Sequence, residues 1–317
     1  MPLDTFDTSE MRSIRDFVRL AASRFQEHGL FFGHGTDNAV DEALYMVLSA
    51  LHLPHEQVDA WLDARLTKSE REHLAHLLAQ RIETRKPAAY LLNQAWFADL
   101  AFYVDERVLV PRSPLAELIE REFAPWVEPD RVRKVLDLCT GSGCVAIACA
   151  FAFPEARIDA VDISADALEV AARNVDEYDL AEQVRLVRSD LFNSLQPLRY
   201  DLIVTNPPYV SREQIESMPE EFQHEPLLGL ESGEDGMDIV LRILARAEKH
   251  LAAGGVLVGE VGINQQVLED AVPGLPLTWV DLESGGEGVF VVAAETLAAN
   301  REAIERALAQ RGLESAS

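Results

Sequence analysis

Asn206-Pro207-Pro208-Tyr209 follows the apolar run Leu202-Ile203-Val204. An amide, a stiff turn and an aromatic ring are thus expected where a buried strand meets the mouth of a sheet. Two consecutive prolines can neither continue a strand nor start an ordinary helical turn, so the backbone there is rigid. A rigid turn fixes the Asn206 side-chain oxygen and the Pro207 carbonyl as hydrogen-bond acceptors, with the Tyr209 ring as a flat wall beside them. That set suits a planar amino group, such as those of adenine, cytosine, guanine and the glutamine or asparagine side chain. Holding such a group against an electrophile is what amino-methyl transfer requires. The same residues can equally be loop punctuation, as Asn-Pro and Pro-Pro often are, so the rest of the chain has to decide.

A second constellation lies upstream. Val132 to Leu138 reads as a buried strand, and Cys139-Thr140-Gly141-Ser142-Gly143 turns it into the apolar helical run Cys144 to Phe153. Glycines at a strand-to-helix turn let a ligand approach the backbone while amide N–H groups point outward. The next strand, Arg157 to Ile163, carries Asp162 near its end, 19 residues beyond Gly143. A carboxylate there can accept hydrogen bonds from both ribose hydroxyls of an adenosine-containing ligand. Gly141-x-Gly143-x-x-Ala146 also fits a dinucleotide fingerprint, so the loop alone does not separate NAD from S-adenosylmethionine. The Asn-Pro-Pro-Tyr turn does, since a nicotinamide enzyme has no evident use for it.

With both motifs in view, the chain resembles the class I S-adenosylmethionine-dependent methyltransferases and, more closely, the protein-glutamine N5-methyltransferase family. The resemblance spans nearly the whole chain and is carried by Arg85 to Leu91, Val110-Pro111-Arg112, Asp137 to Gly143, Ser189-Asp190-Leu191-Phe192 and Asn206 to Tyr209. Phe32-Gly33-His34-Gly35-Thr36-Asp37-Asn38-Ala39 and Val110 to Pro114 look like the branch acting on the third large-subunit ribosomal protein. The release-factor branch usually has Pro-Glu-Thr-Glu after the arginine, and remains the nearest rival.

The resemblance implies S-adenosylmethionine as cofactor, with its methionine end over Gly141 and Gly143, its ribose on Asp162 and its adenine near Asp190 and Leu191. Cys139, Thr140 and Ser142 complete the turn. A target amide would donate to Asn206 and Pro207, with Pro208 and Tyr209 closing the acceptor site, and no metal is required. Two residues depart from the pattern: Cys139 stands where many relatives have glycine, and Leu191 where the release-factor branch often has tryptophan. An amino-methyltransferase of nucleic acid and a non-catalytic protein of the same fold are the alternatives. The first would bring a basic domain or stripe, and the intact turn argues against the second.

The elements that must position these residues can be read from periodicity. Residues 1–93 show apolar stripes at helical spacing, Ile14-Phe17-Val18-Ala21-Phe25 and then Val40-Ala43-Leu44-Val47-Leu48-Leu51. Further helices are expected around Trp61 and from a Ser69-x-x-Glu72 capping box to Ile82, giving a small helical domain, to which the resemblance assigns substrate recognition. Residues 94–111 read as a β-hairpin connector, with strands at 96–97, 100–104 and 108–110. From 112 to 317 strands and helices alternate: 132–138, 144–153, 157–163, 165–178, 184–188, 200–205, 237–252 and 255–261. An antiparallel pair, 277–282 and 289–293, and a final polar helix, 297–312, follow. That order predicts an α/β class: a seven-stranded, Rossmann-like, doubly wound sheet with ligands at the C-terminal strand edge.

Composition narrows the partners. With 28 Lys+Arg against 54 Asp+Glu the formal net charge is −26, a poor balance for gripping bare nucleic acid, where phosphate neutralisation supplies most of the affinity. A basic partner such as a ribosomal protein suits it better, although acidic surfaces also simply aid solubility. Met1-Pro2-Leu3-Asp4 lacks the basic and apolar regions of an export signal, and the run 144–153 is too short to span a bilayer, so a cytoplasmic location is expected. Cys139, Cys144 and Cys149 read as free thiols rather than a disulfide framework. His73 and His76, three apart on a helix, lack a third ligand nearby in sequence for a metal site.

Overall fold

The structure is a computed structural model that describes residues 9–283 and 285–313. The expectation drawn from residues 1–4 lies outside the described residues. Two compact units divide the chain. One comprises the chain up to Ala95 together with Val104–Glu106 and Pro219–His224, and the other Trp96–Tyr103, Arg107–Met218 and everything from Glu225 onward. The short insertions from distant parts of the chain are not visible in a linear reading that cuts at 93 and 111.

The helical unit contains α1 (Ile14–Glu27), α2 (Ala39–Ala50), α3 (Val58–Trp61), α4 (Lys68–Thr84) and α5 (Ala88–Leu92). The stripe Ile14, Phe17, Val18, Ala21 and Phe25 is buried against Ala43, Met46 and Val47 of α2 and Leu74, Leu77 and Leu78 of α4. Each of the larger of these side chains contributes about 1.5–3 kcal/mol by leaving water. Val40, expected in the second stripe, is 55% exposed. Asn38 caps that helix by accepting from the Val40 and Asp41 N–H groups, which puts Val40 in the first, solvent-facing turn. The capping box of α4 is Thr67 with Glu70, not Ser69 with Glu72. Both pairs fit the spacing, and the earlier one keeps two more residues in the helix. His73 and His76 lie exposed on α4.

In the second unit β1 (Ala95–Phe97) and β2 (Leu100–Phe102) form a separate two-stranded sheet. The expected third strand at 108–110 does not form, because the Val110 N–H donates to the Glu225 carboxylate instead of to a neighbouring strand. After α6 (Leu115–Glu120) come β3 (Lys134–Leu138), α7 (Cys144–Ala152), β4 (Arg157–Asp162), α8 (Ala165–Glu177), β5 (Val184–Arg188) and β6 (Tyr200–Thr205). Next are α9 (Arg212–Ser217), α10 (Asp238–His250), β7 (Leu251–Glu260), α11 (Gln265–Ala271), β8 (Thr278–Trp279) and β9 (Val289–Ala293). The seven-stranded sheet has the order β5-β4-β3-β6-β7-β9-β8. Its first five strands are parallel, and β9 and β8 are antiparallel additions.

This is the class I methyltransferase architecture expected from the alternation of elements. The inner strands β3 and β6 are buried almost throughout, as parallel strands covered on both faces must be. Strand order runs outward from β3 through β4 to β5 on one side and from β6 to β7 on the other. The switch point therefore falls between β3 and β6, where such sheets open a crevice at their C-terminal edge. The chain after β9 is two helices, α12 (Ala294–Ala299) and α13 (Arg301–Gln310), rather than one polar helix. Leu297, Ile304, Ala307 and Leu308 are buried in the same cluster as Leu241 and Leu244 of α10.

Candidate active site

Leu138 of β3 and Thr205 of β6 are paired in the parallel ladder, and the Thr205 hydroxyl donates to the Leu138 carbonyl at 2.9 Å. The glycine turn and the Asn-Pro-Pro-Tyr turn therefore start side by side at the switch point. Val161 of β4 pairs with Leu138, which brings Asp162 to the same edge. Asp190 and Leu191 follow β5 there.

The glycine turn is built on positive φ angles, +62° at Cys139, +54° at Gly141 and +82° at Gly143. At Gly143 a side chain would also meet the Ala171 Cβ at 3.3 Å, so α8 packs close only because glycine stands here. The position a side chain would take at Gly141 has nothing within 4 Å, which leaves that backbone open to a ligand. Beneath the turn, the buried Asp137 carboxylate accepts from the Thr140 hydroxyl at 2.5 Å and the Ala146 N–H at 3.1 Å. Burial pushes its pKa up to about 7. Asp162 accepts from the Gly141 N–H and the Ser164 N–H, both at 2.9 Å, and burial raises its pKa as well. Each of its oxygens keeps a second lone pair for a ligand hydroxyl.

Asp190 accepts from Arg242 Nη2 at 2.6 Å, and Leu191 is buried in the left-handed conformation, φ +49°. The Cys139 thiol is held well above its ordinary range by burial, with the charges of Asp162 and Asp137 adding to the effect. It therefore stays a neutral thiol. Among the described residues no group of three or more His, Cys, Asp and Glu could hold a metal ion.

In the second turn Asn206 is half-buried and Pro207 buried at the end of β6. Tyr209 is anchored at both its hydroxyl and its carbonyl. Its hydroxyl donates to Glu260 Oε1 at 2.9 Å, and its carbonyl accepts from Asn264 Nδ2 at 2.7 Å. Gly236, at φ +87°, lies so near that a side chain there would sit 2.1 Å from the same carbonyl. Glu260, at the end of β7, also receives the Ser113 hydroxyl, and burial raises its pKa. Burial, followed by the Glu260 charge, raises that of Tyr209. Arg112 donates through both Nη atoms to Glu225, and the adjacent Ser113 reaches the turn through Glu260, the carboxylate that also receives Tyr209. Sequence reading assigned Arg112 no role and missed Ser113, Glu225, Glu260 and Asn264. It also missed Asn174, which binds the Ser142 carbonyl at 2.8 Å and both backbone groups of Tyr103. Only Glu260 left a signal, as a carboxylate closing the apolar strand Val256 to Val261.

The methyltransferase small domain model matches residues 121–225. Over 290 residues the chain is 52% identical to the ribosomal protein uL3 glutamine methyltransferase of Neisseria meningitidis serogroup B, covering 91% of this chain and 95% of that one. The same family's member from Bordetella pertussis is 48% identical over 289 residues, covering 91% and 97%. The Neisseria gonorrhoeae member is 51% identical over 290 residues, covering 91% and 96%. The chain belongs to the ribosomal protein uL3 glutamine methyltransferase family.

The donor set fits an adenosine-containing cofactor, with open backbone at Gly141 and acceptor capacity on Asp162. None of the helices among the described residues is long and apolar enough to cross a membrane.

Proposed function

We propose that this enzyme methylates the side-chain nitrogen of a glutamine in ribosomal protein uL3, using S-adenosylmethionine. The observation that carries the reading is the Leu138–Thr205 pairing. It sets the Cys139–Gly143 turn beside the Asn206–Tyr209 turn, which supports a shared cofactor and amide site in a chain that shares about half its residues with enzymes named for that reaction. When bound, the cofactor supplies an electrophilic methyl group on a sulfonium. Gly141 and Gly143 would support its methionine end, Asp162 its ribose, and Asp190 with Leu191 its adenine, with Cys139, Thr140 and Ser142 forming the wall.

The chain's own residues then do the positioning. Asn206 Oδ1 and the Pro207 carbonyl accept the two amide protons and so aim the nitrogen. An amide nitrogen is a poor nucleophile because its lone pair is delocalised. Acceptors that strengthen as positive charge develops on it supply much of the rate, together with alignment. Pro208 and the Tyr209 ring exclude water, and the anchorage of Tyr209 on Glu260 keeps the turn from drifting. The net charge of −26 favours encounter with a basic ribosomal protein, and such a substrate supports a cytoplasmic setting without direct nucleic-acid binding.

The test is incubation with methyl-labelled S-adenosylmethionine and separate pools of ribosomal proteins, release factors, ribosomal RNA and DNA. Label is expected on one large-subunit protein. Label on release factors would move the chain to the other branch, and label confined to nucleic acid would sink the glutamine assignment.

A further inference from the structure

Asn264 stands where a helix cap belongs and does not act as one. It immediately precedes α11, a position from which asparagine ordinarily accepts the N–H groups of the first turn, yet its side chain makes no such bond. It is 4% exposed and reaches instead to Tyr209, 55 residues away in sequence, whose carbonyl receives its Nδ2 at 2.7 Å. A side chain that gives up a local bond for a distant one answers to something other than the stability of its own helix.

Neighbouring groups set the orientation of that amide. The Ser211 N–H donates to Gln214 Oε1 at 2.9 Å, which turns Gln214 Nε2 toward Asn264 Oδ1 at 3.4 Å and leaves Asn264 Nδ2 to face the Tyr209 carbonyl. The stretch after β7 grips the same tyrosine along its length. Glu260 takes the hydroxyl, Gly262 lies against the ring, where a side chain would meet Cε2 at 3.0 Å, and Asn264 takes the carbonyl. The Val261 N–H donates to the Gly288 carbonyl at 2.8 Å, tying this stretch to the start of β9, and the Val210 N–H donates to the Leu230 carbonyl at 2.9 Å. All of these residues lie in one compact unit. With φ fixed at Pro207 and Pro208, few rotations let the Tyr209 peptide turn without carrying the Pro207 carbonyl along.

We infer that Asn264 is a positioning residue for methyl transfer: by holding the Tyr209 carbonyl it fixes the direction in which the turn presents Asn206 and the Pro207 carbonyl to the substrate amide. The inference rests on the functional reading above, and hydrogen exchange at the Val210 amide, which shares its peptide group with the Tyr209 carbonyl, lets it be judged separately. The experiment compares the full-length chain with Asn264→Asp, Asn264→Ala and Gln214→Glu. Aspartate keeps the shape of asparagine and has no donor when ionised, but its protonated O–H can donate to the same carbonyl. Glutamate at 214 keeps the Ser211 capping box and removes the donor to Asn264. The quantities read are kcat and KM across pH, binding of S-adenosylhomocysteine, and protection of the Val210 amide.

At alkaline pH, Asn264→Asp and Asn264→Ala are expected to lower kcat by at least about tenfold, since a misplacement of about 1 Å costs about 100-fold. KM should stay within about threefold and S-adenosylhomocysteine affinity within about twofold, because the positioning acts on the chemical step. Lowering the pH should return kcat of Asn264→Asp to within about threefold of the parent's at the same pH, as the carboxyl regains a donor. Asn264→Ala, which shares every other titrating group, should show no such recovery, and protection of the Val210 amide should follow the same pattern. An unchanged kcat in the folded variants, or an Asn264→Asp that stays as impaired at acid pH as Asn264→Ala, would overturn the inference. If the Asn264 variants fail to fold, Gln214→Glu decides by the same measure: a kcat lowered about threefold supports the inference, and an unchanged one overturns it. Absence of transfer by the unaltered chain would count against the functional reading, while Val210 protection would still decide whether Asn264 holds the turn.

Discussion

Replacing Tyr209 by Phe removes one oxygen and leaves the ring in place, which isolates the anchor of the acceptor turn. The hydroxyl lies 2.9 Å from Glu260 Oε1, on a carboxylate that is 5% exposed and otherwise receives the Ser113 hydroxyl. A hydrogen bond to a buried charge is worth about 1.5–3 kcal/mol, and one to a neutral group about 0.5–1.5 kcal/mol. The cost of Tyr209→Phe should therefore depend on whether Glu260 is ionised. Burial raises its pKa above the ordinary 4.5. A carboxyl whose folded pKa is raised binds its proton more tightly in the native state, so its ionisation erodes stability as the pH rises from its unfolded value through its folded one. Removing the tyrosine donor pushes that pKa further up and enlarges the loss.

Urea denaturation of both proteins across this window should show a difference of about 2 kcal/mol at alkaline pH, shrinking to about 1 kcal/mol at its acid end. The slope with denaturant should stay the same, since no surface is redistributed. The turn should also loosen, lowering kcat while the affinity for S-adenosylhomocysteine is retained. A difference near zero, or one that does not change with pH, would refute the idea that Glu260 anchors Tyr209 as a buried carboxylate.

Other perturbations separate the parts of the site. Gly236→Ala forces a side chain at φ +87° to within 2.1 Å of the Tyr209 carbonyl, and thermal melting should show a loss of about 1–3 kcal/mol. Asp162→Ala removes the partner of the Gly141 and Ser164 N–H groups along with the proposed ribose acceptor. Calorimetry should find S-adenosylhomocysteine bound about 10- to 100-fold more weakly, the equivalent of about 1.5–3 kcal/mol. For Asp137, whose pKa burial lifts from 3.8 to about 7, the native state holds the proton longer than the unfolded chain does. Stability should therefore fall as the pH rises between those values, and Asp137→Asn should flatten that part of the denaturation profile relative to the parent.

Local patterns were legible in the sequence because local physics produces them. The stripe Ile14, Phe17, Val18, Ala21 and Phe25 had only one helical face to share, and the strands around Val135, Ile158 and Leu202 were apolar runs bounded by turns. The glycine turn and Asn206 to Tyr209 announced themselves through residues with few backbone options. The second layer stayed hidden because it depends on contacts between residues far apart in sequence. Ser113 meets Glu260 across 147 residues and Arg112 meets Glu225 across 113, and no spacing rule connects them. The strand expected at 108–110 failed for the same reason, since a distant carboxylate took the Val110 N–H. The Ser69 capping box failed because Thr67 satisfied the identical rule two residues earlier.

The central claim is that Asn206 directs a glutamine nitrogen toward a methyl donor, and peptide mass spectrometry of uL3 after reaction tests it most directly. Purified uL3 lacking the modification would be incubated with S-adenosylmethionine and either the parent chain or Asn206→Ala, at matched cofactor saturation. The account predicts a single methyl group on one glutamine side chain with the parent. With the variant it predicts a rate lower by ~10²–10³, the range found when a preorganised polar group is removed from a reacting centre, and an S-adenosylhomocysteine affinity within twofold. Methylation of a residue other than glutamine, or an Asn206→Ala variant that reacts at the parental rate, would contradict it.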